Sequence, residues 1–171
     1  MKIENYDSAP DTEKHIARVG ELLALCSAEL DERGKAHDMD KICDAEEKQY
    51  FDEYSPKLAH CTYGSDEYKS YLAGLKPALD IHYANNRHHP EHFKDGIRGM
   101  NLLDVLEMLC DWKASSERHE DGDIFRSIEL NRERFGYSEE LARMLANTIE
   151  WLNALDEANE FESPDGFGGE E

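Results

Sequence analysis

Positive charge is scarce in this chain: 19 lysines and arginines face 39 aspartates and glutamates, a net −20 with the histidines neutral. Such a surface repels nucleic-acid phosphates, which speaks against a duplex-binding module. No apolar run approaches the roughly 20 residues that a membrane span needs. The opening Met1-Lys2-Ile3-Glu4-Asn5-Tyr6-Asp7 also lacks the apolar stretch of a secretory signal, so a cytoplasmic location is expected. Paired cysteines are missing as well. Cys26, Cys43, Cys61 and Cys110 form no CxxC, which argues against a cysteine-built zinc site and leaves them as small core residues. Runs of alternating β-branched residues are absent, which removes the signature of a half-buried strand.

What remains is helical periodicity in a length, 171 residues, that fits one domain with a sizeable core. The expected fold is an all-α, single-domain bundle of six or seven helices. A short arm covers residues 1–10, the helical domain 11–160, and an acidic, disordered tail 161–171. The first helix is expected over Thr12 to Arg33, with Ile16, Val19, Leu23, Cys26 and Leu30 as its buried stripe, Asp11 or Thr12 as its cap and Gly34 as its break. A second helix runs from Ala36 towards Tyr54 and stops before Pro56. Lys57 to Gly64 reads as a loop, and Ser65 caps a third helix in which Pro77 makes a kink or a new start. Asn85 to Gly99 reads as a structured loop, followed by helices over Asn101–Glu117, Asp123–Phe135 and from Ser138 onward. The last carries Leu141, Leu145, Thr148, Leu152 and Leu155 as its stripe.

Seven of the eight histidines fall between His15 and His92. His15 lies on the expected buried stripe, with Asp11 one turn earlier on the same face. Taken alone, it reads as a neutral core histidine bonded to a carbonyl. His37-Asp38 can hold one divalent cation together if the backbone turns both side chains inward, and Lys41, one turn on, can reach an anion held there. The segment His82 to Phe93 packs His82, His88, His89 and His92 with Asn86, Arg87 and Glu91 into a polar, proline-constrained stretch, a density that points to metal binding. Further on, Asp104, Glu107 and Asp111 share one face of an apolar helix. A buried Asp111 there needs a cation or a donor. Imidazole and carboxylate donors suit one or two ions of Mn, Fe, Co, Ni or Zn, and Mg is compatible with the carboxylates.

In order, His15, His37-Asp38 with Lys41, His82, His88-His89 and Asp111 resemble the H…HD…D pattern of HD-domain phosphohydrolases. The likeness is greatest to the HD-GYP branch and spans about Asp11 to Ser116. Met39-Asp40 stands where that family has small residues, and the GYP signature is absent. Over nearly its whole length the chain is also similar to a bacterial and phage family without an assigned activity, through Tyr63-Gly64-Ser65, Asn86 to Phe93 and Met108 to Ala114. That likeness implies a bacterial or phage-infected host cell.

The HD resemblance implies that His15, His37, Asp38 and Asp111 hold a primary metal. It further implies that His82 with His88 or His89 holds a second metal or contacts the substrate, that Asp11 assists a second metal, and that Lys41 faces the phosphate. On this reading the chain hydrolyses a phosphoester, most simply a small nucleotide, with His88 or His89 protonating the leaving oxygen and Arg87 or Lys41 steadying the phosphate. His92 has no counterpart in the pattern. Two other readings are a metal- or nucleotide-binding sensor without turnover, and an acidic interaction protein whose histidines are incidental.

Overall fold

A computed structural model describes residues 6–61, 65–118 and 122–162, and among them there are helices and turns but no strand. Seven α-helical segments follow in order: α1 (Ala9–Ala36), the single turn α2 (Asp40–Cys43), α3 (Ala45–Ala59), α4 (Asp66–Asn85), α5 (Leu102–Ser116), α6 (Ile124–Phe135) and α7 (Glu139–Glu162). Two 3₁₀ turns, Pro90–His92 and Gly96–Gly99, bridge α4 to α5. The expected all-α single domain is what forms.

The main core lies between α5, α6 and α7. Leu109, Ile124, Ile128, Tyr137, Ala142, Leu145 and Ile149 are buried together, edged by Trp112, Phe135, Leu141 and Leu152. Trp112 and Phe135 stack almost parallel, 8° apart, in offset geometry at 6.3 Å. Burial pushes the Tyr137 hydroxyl up to about 12, so it stays protonated and donates to the Ile128 carbonyl at 2.6 Å. Gly136 ends α6 in the left-handed region at φ +65°, as its sequence position predicts. The face of α7 that goes inward is Ala142, Leu145 and Ile149, while of the expected stripe Thr148 is half-buried and Leu155 faces out.

The other half is a pair of helices. α3 packs along α4 closely enough that a Cβ on Gly74 would lie 2.4 Å from the Tyr54 ring. This contact explains two departures from expectation. α3 runs through Pro56 to Ala59 instead of stopping before it, and α4 is continuous across Pro77. A proline inside a helix costs about 3 kcal/mol, and two helices laid along each other offset it. The residues Tyr63 and Gly64 expected in a loop lie outside the described residues, as do 1–5 of the arm, His119 and 163–171 of the tail.

α1 differs most from its reading. It starts at Ala9 after Ser8, passes Gly34 and ends at Ala36, and none of its 28 residues is buried. Ile16, Val19, Leu22 and Leu23 are exposed, so the amphipathic stripe is real in sequence but uncovered by the described residues. The cysteines are not core residues either: Cys26, Cys43 and Cys110 are exposed and Cys61 half-buried.

Only the end of α1 joins the body, and a buried carboxylate ties it there. Asp104, with no exposed surface, accepts from Arg33 Nη1 at 2.7 Å and from Arg87 Nε and Nη2 at 3.0 and 2.9 Å. It also accepts from the Asn101 backbone N–H at 2.8 Å, while Asn101 Oδ1 caps Leu103 and Asp104, which completes a capping box at the start of α5. Burial alone raises the Asp104 carboxyl, but the Arg87 and Arg33 hydrogen bonds more than offset it and hold the group below its ordinary range. We therefore expect Asp104→Asn to lose about 3 kcal/mol at neutral pH in chemical denaturation. The gap to the native protein narrows as the pH falls below about 4, where the unfolded carboxyl protonates, and closes only as the pH passes through the lower value of the folded carboxyl.

Candidate metal centre

The site forms where the end of α1, the turn α2, the end of α4, the His88–His89 segment and the middle of α5 meet. α1 stops because Asp38 adopts φ +57°, the one non-glycine residue in the left-handed region among those described. That conformation costs about 1 kcal/mol or more outside glycine, and aspartate is among the side chains that tolerate it best. It swings His37 and Asp38 inward together. Asn86 then closes α4 with its side chain on the His82 carbonyl, and buried Pro90 stiffens the segment that presents His88 and His89.

Each key imidazole is oriented from behind by a carboxylate. Glu107 Oε1 sits 3.0 Å from His37 Nδ1 and 3.2 Å from His88 Nδ1. Asp40 Oδ2 sits 2.7 Å from His82 Nδ1 and also accepts from Asn86 Nδ2 at 2.5 Å. An Nδ1–H donated to each carboxylate leaves the three Nε2 lone pairs free on the other side. Asp40, which interrupts the HD pattern, thus has a defined place.

The Nε2 atoms converge. His82 Nε2 lies 3.0 Å from His89 Nε2 and 3.2 Å from Asp38 Oδ1, and His88 Nε2 lies 3.5 Å from the same oxygen. Donors bound about 2.1 Å from one ion in octahedral or tetrahedral geometry sit roughly 3.0–3.4 Å apart. Asp38 Oδ1 and His88 Nε2 are buried and make no hydrogen bond, which a polar atom tolerates when a cation satisfies it. A second, wider group joins His37, His88 and Asp111, with His37 Nε2 3.8 Å from Asp38 Oδ2 and 3.7 Å from Asp111 Oδ1. Asp38 therefore offers one oxygen to each group. Lys41 Nζ donates to Asp38 Oδ2 at 2.7 Å and stands over the Phe51 ring, at the more exposed rim of the cluster.

The donors titrate in opposite directions. The Asp111 carboxylate raises His37 to about 9, against its partial burial and with help from Glu107. Burial, reinforced by His88 and His82, depresses His89 to about 3. Burial works to raise Asp38, but His82 and Lys41 outweigh it and drive the carboxyl far down. At neutral pH His89 is thus a neutral imidazole and Asp38 an ionised carboxylate, the states that metal ligation requires, whereas His37 holds a proton that a metal would displace.

Of the sequence candidates, the fold brings together His37, Asp38, Lys41, His82, His88, His89, Glu107 and Asp111. It does not bring in His15 or Asp11. Both are exposed on the uncovered length of α1, where Asp11 accepts a hydrogen bond from the Tyr6 hydroxyl. Arg87 is spent on Asp104 and over the Phe93 ring at 5.0 Å, so it does not steady an anion at the cluster. Asp104 serves the same clamp. His88 is fully enclosed and tied to Glu107 at 3.2 Å, a position that suits a ligand better than a proton donor to a leaving group. His92 meets the Phe93 ring edge to face, 4.8 Å between centroids, and belongs to none of the donor groups found among the described residues. Asp40 and the buried Glu47, 4.0 Å from His82 Nδ1, were not singled out from the sequence. The signal for Asp40 was its intrusion between His-Asp and Lys41.

In metal-free protein, we expect the His37 ring to titrate near pH 9 and the His89 ring to stay neutral down to about pH 3, read by ¹⁵N NMR. The stabilisation from His37 is then complete below about pH 6.5 and lost as the pH rises through about 9.

Comparison with curated proteins and with solved structures gives no match. Residues 4–157 match a family of unknown function, DUF5662, and the chain belongs to that family.

Proposed function

We propose that this chain is a metal-dependent phosphohydrolase of the HD type, holding one or two divalent cations and hydrolysing a phosphoester such as a small nucleotide. One observation carries the reading. Three buried or half-buried imidazoles are each fixed at Nδ1 by a carboxylate, so that their Nε2 atoms face two orphaned or ionised carboxylates. Within the cluster, His88 Nε2 and Asp38 Oδ1 are buried without a hydrogen-bond partner, which a purely structural cluster would not leave.

His82, His88, His89 and Asp38 Oδ1 fit one ion. The second group, His37, His88 and Asp111, would hold another. Nitrogen-rich donors favour Mn, Fe, Co, Ni or Zn over Mg. Such ions, when bound, neutralise phosphoryl charge and lower the pKa of a water. The chain's own residues do the rest. Glu107 and Asp40 keep the rings in the ligating tautomer, and Lys41 at the rim places a cation where a phosphoryl oxygen would lie. Hydrolysis adds water across the P–O ester bond and yields an alcohol and phosphate. With the HD order His37-Asp38 to Asp111 retained, this reading makes Asp38 and Asp111 indispensable and His15 dispensable.

Protein purified without chelator or histidine tag is expected to carry one or two equivalents of a transition metal by elemental analysis. The His37→Ala/Asp38→Ala double variant should carry none. Asp38→Asn, whose side chain accepts the left-handed backbone, is expected to abolish turnover of phosphoesters while circular dichroism stays native. A metal-loaded, active Asp38→Asn protein would refute the assignment. Glu107→Ala should weaken metal affinity about 10- to 100-fold without touching a ligand. Stoichiometric metal with no turnover across a phosphoester panel would favour a sensor instead.

A further inference from the structure

The described residues leave the apolar face of α1 uncovered along most of its length. Ile16, Val19, Leu23, Cys26 and Leu30 recur at alternating spacings of three and four residues, the seven-residue repeat of helices that pair along a narrow seam. Thr12 and Arg33 continue the repeat at either end. Leu30 and Arg33 are half-buried where α1 meets the body. Towards the N-terminus the same seam stands open, with Ile16 63% and Leu23 65% exposed.

Two further features of α1 have no use inside one copy. Gly20, Ser27 and Gly34 line one edge of the seam at intervals of seven, and a Cβ on either glycine would meet nothing within 4 Å. Glycine weakens a helix interior, whereas small residues at a contact let a second helix approach closely. The helix is also nearly neutral: six acids against four bases, in a chain of net charge −20. Two copies can therefore meet along α1 with little of the repulsion that the rest of the surface imposes.

We infer that α1 pairs with α1 of a second copy of this chain, antiparallel about a two-fold axis at residue 21. Ile16 then faces Cys26 of the second copy, Val19 faces Leu23 and Thr12 faces Leu30. Gly20 meets Gly20 beside the axis, and His15 lies opposite Glu29 on both sides of it. The antiparallel sense opposes the helix dipoles and holds the two acidic bodies at opposite ends of a rod about 42 Å long. Two helices joined over that length bury roughly 1,200 Å², the lower end of the range for a specific interface. The undescribed chain ends offer little to cover the seam, since Met1, Ile3 and Phe167 are their large apolar residues. The pairing does not depend on the metal centre.

Sedimentation velocity of the full chain is expected to give a dimer of twice 19.7 kDa. Leu23→Glu puts two carboxylates into the seam and should raise the dimer Kd about 100-fold or more. Circular dichroism should stay native, because Leu23 is exposed in the single copy. Gly20→Leu, which favours helix in a lone chain, should weaken the dimer as well. Mild oxidation of Ile16→Cys should link position 16 to Cys26 of the second copy, as located by mass spectrometry of the joined peptides. A native chain that stays monomeric at high concentration would overturn the proposal and leave this face to the chain's own ends or to a different protein. A dimer unmoved by Leu23→Glu would overturn it too, since another surface would then hold the copies together. A Cys26–Cys26 link in the native dimer would overturn the antiparallel order.

Discussion

Everything at this site depends on a single carboxylate oxygen. Glu107 Oε1 lies within hydrogen-bond reach of Nδ1 on both His37 and His88, rings that come from different ends of the chain. An imidazole has one N–H in its neutral form, so the partner of Nδ1 decides what Nε2 can do. By taking both Nδ1–H groups, Glu107 turns two Nε2 lone pairs towards Asp38 and Asp111. Asp40 does the same for His82. Without these two acceptors the rings would be free to rotate, and four histidines in one small volume would repel or pair among themselves.

Glu107 in turn is held by what surrounds it. Arg33 Nη1 lies 3.5 Å from its other oxygen and 2.7 Å from Asp104. The arginine that anchors α1 to α5 thus also sets the carboxylate that sets the histidines. Asp104 gathers Arg33, Arg87 and the start of α5, which fixes the segment from Arg87 to His89 relative to the helix bearing Glu107 and Asp111. An ionic clamp of this kind adds little net stability compared with apolar packing, and its value is in register. It ties the Arg87 guanidinium to Asp104, although the sequence places this arginine next to the paired histidines.

The acidity of the chain has a different meaning at the centre than on the surface. On the surface, carboxylates pair with lysines and arginines one helical turn away, contacts worth a few tenths of a kcal/mol each. In the centre, Asp38, Asp40, Glu47, Glu107 and Asp111 surround three well-enclosed histidines with Lys41 as the nearby cation. Such a charge distribution is favourable when divalent ions complete it.

Much of this was determined by the sequence alone. The 3.6-residue periodicity and the capping residues Ser65, Asn101, Asp123 and Gly136 set the helices, because these preferences act within a few residues. His37-Asp38, the His82–His89 stretch and Asp111 were legible as candidate ligands because their chemistry and density have few other uses. Tertiary structure decided which of them meet. His15 and Asp11 had the right spacing on an amphipathic helix, yet α1 leaves the body before reaching them, and periodicity says which face is apolar without saying what covers it. Pro56 and Pro77 read as breaks because local rules count only the lost hydrogen bond, and the packing of α3 on α4 overrides them. The second carboxylate shell, Glu107 and Asp40 behind the rings, is a relation between residues 42 to 70 positions apart. No local pattern carries a relation of that range; it exists only once the helices are packed.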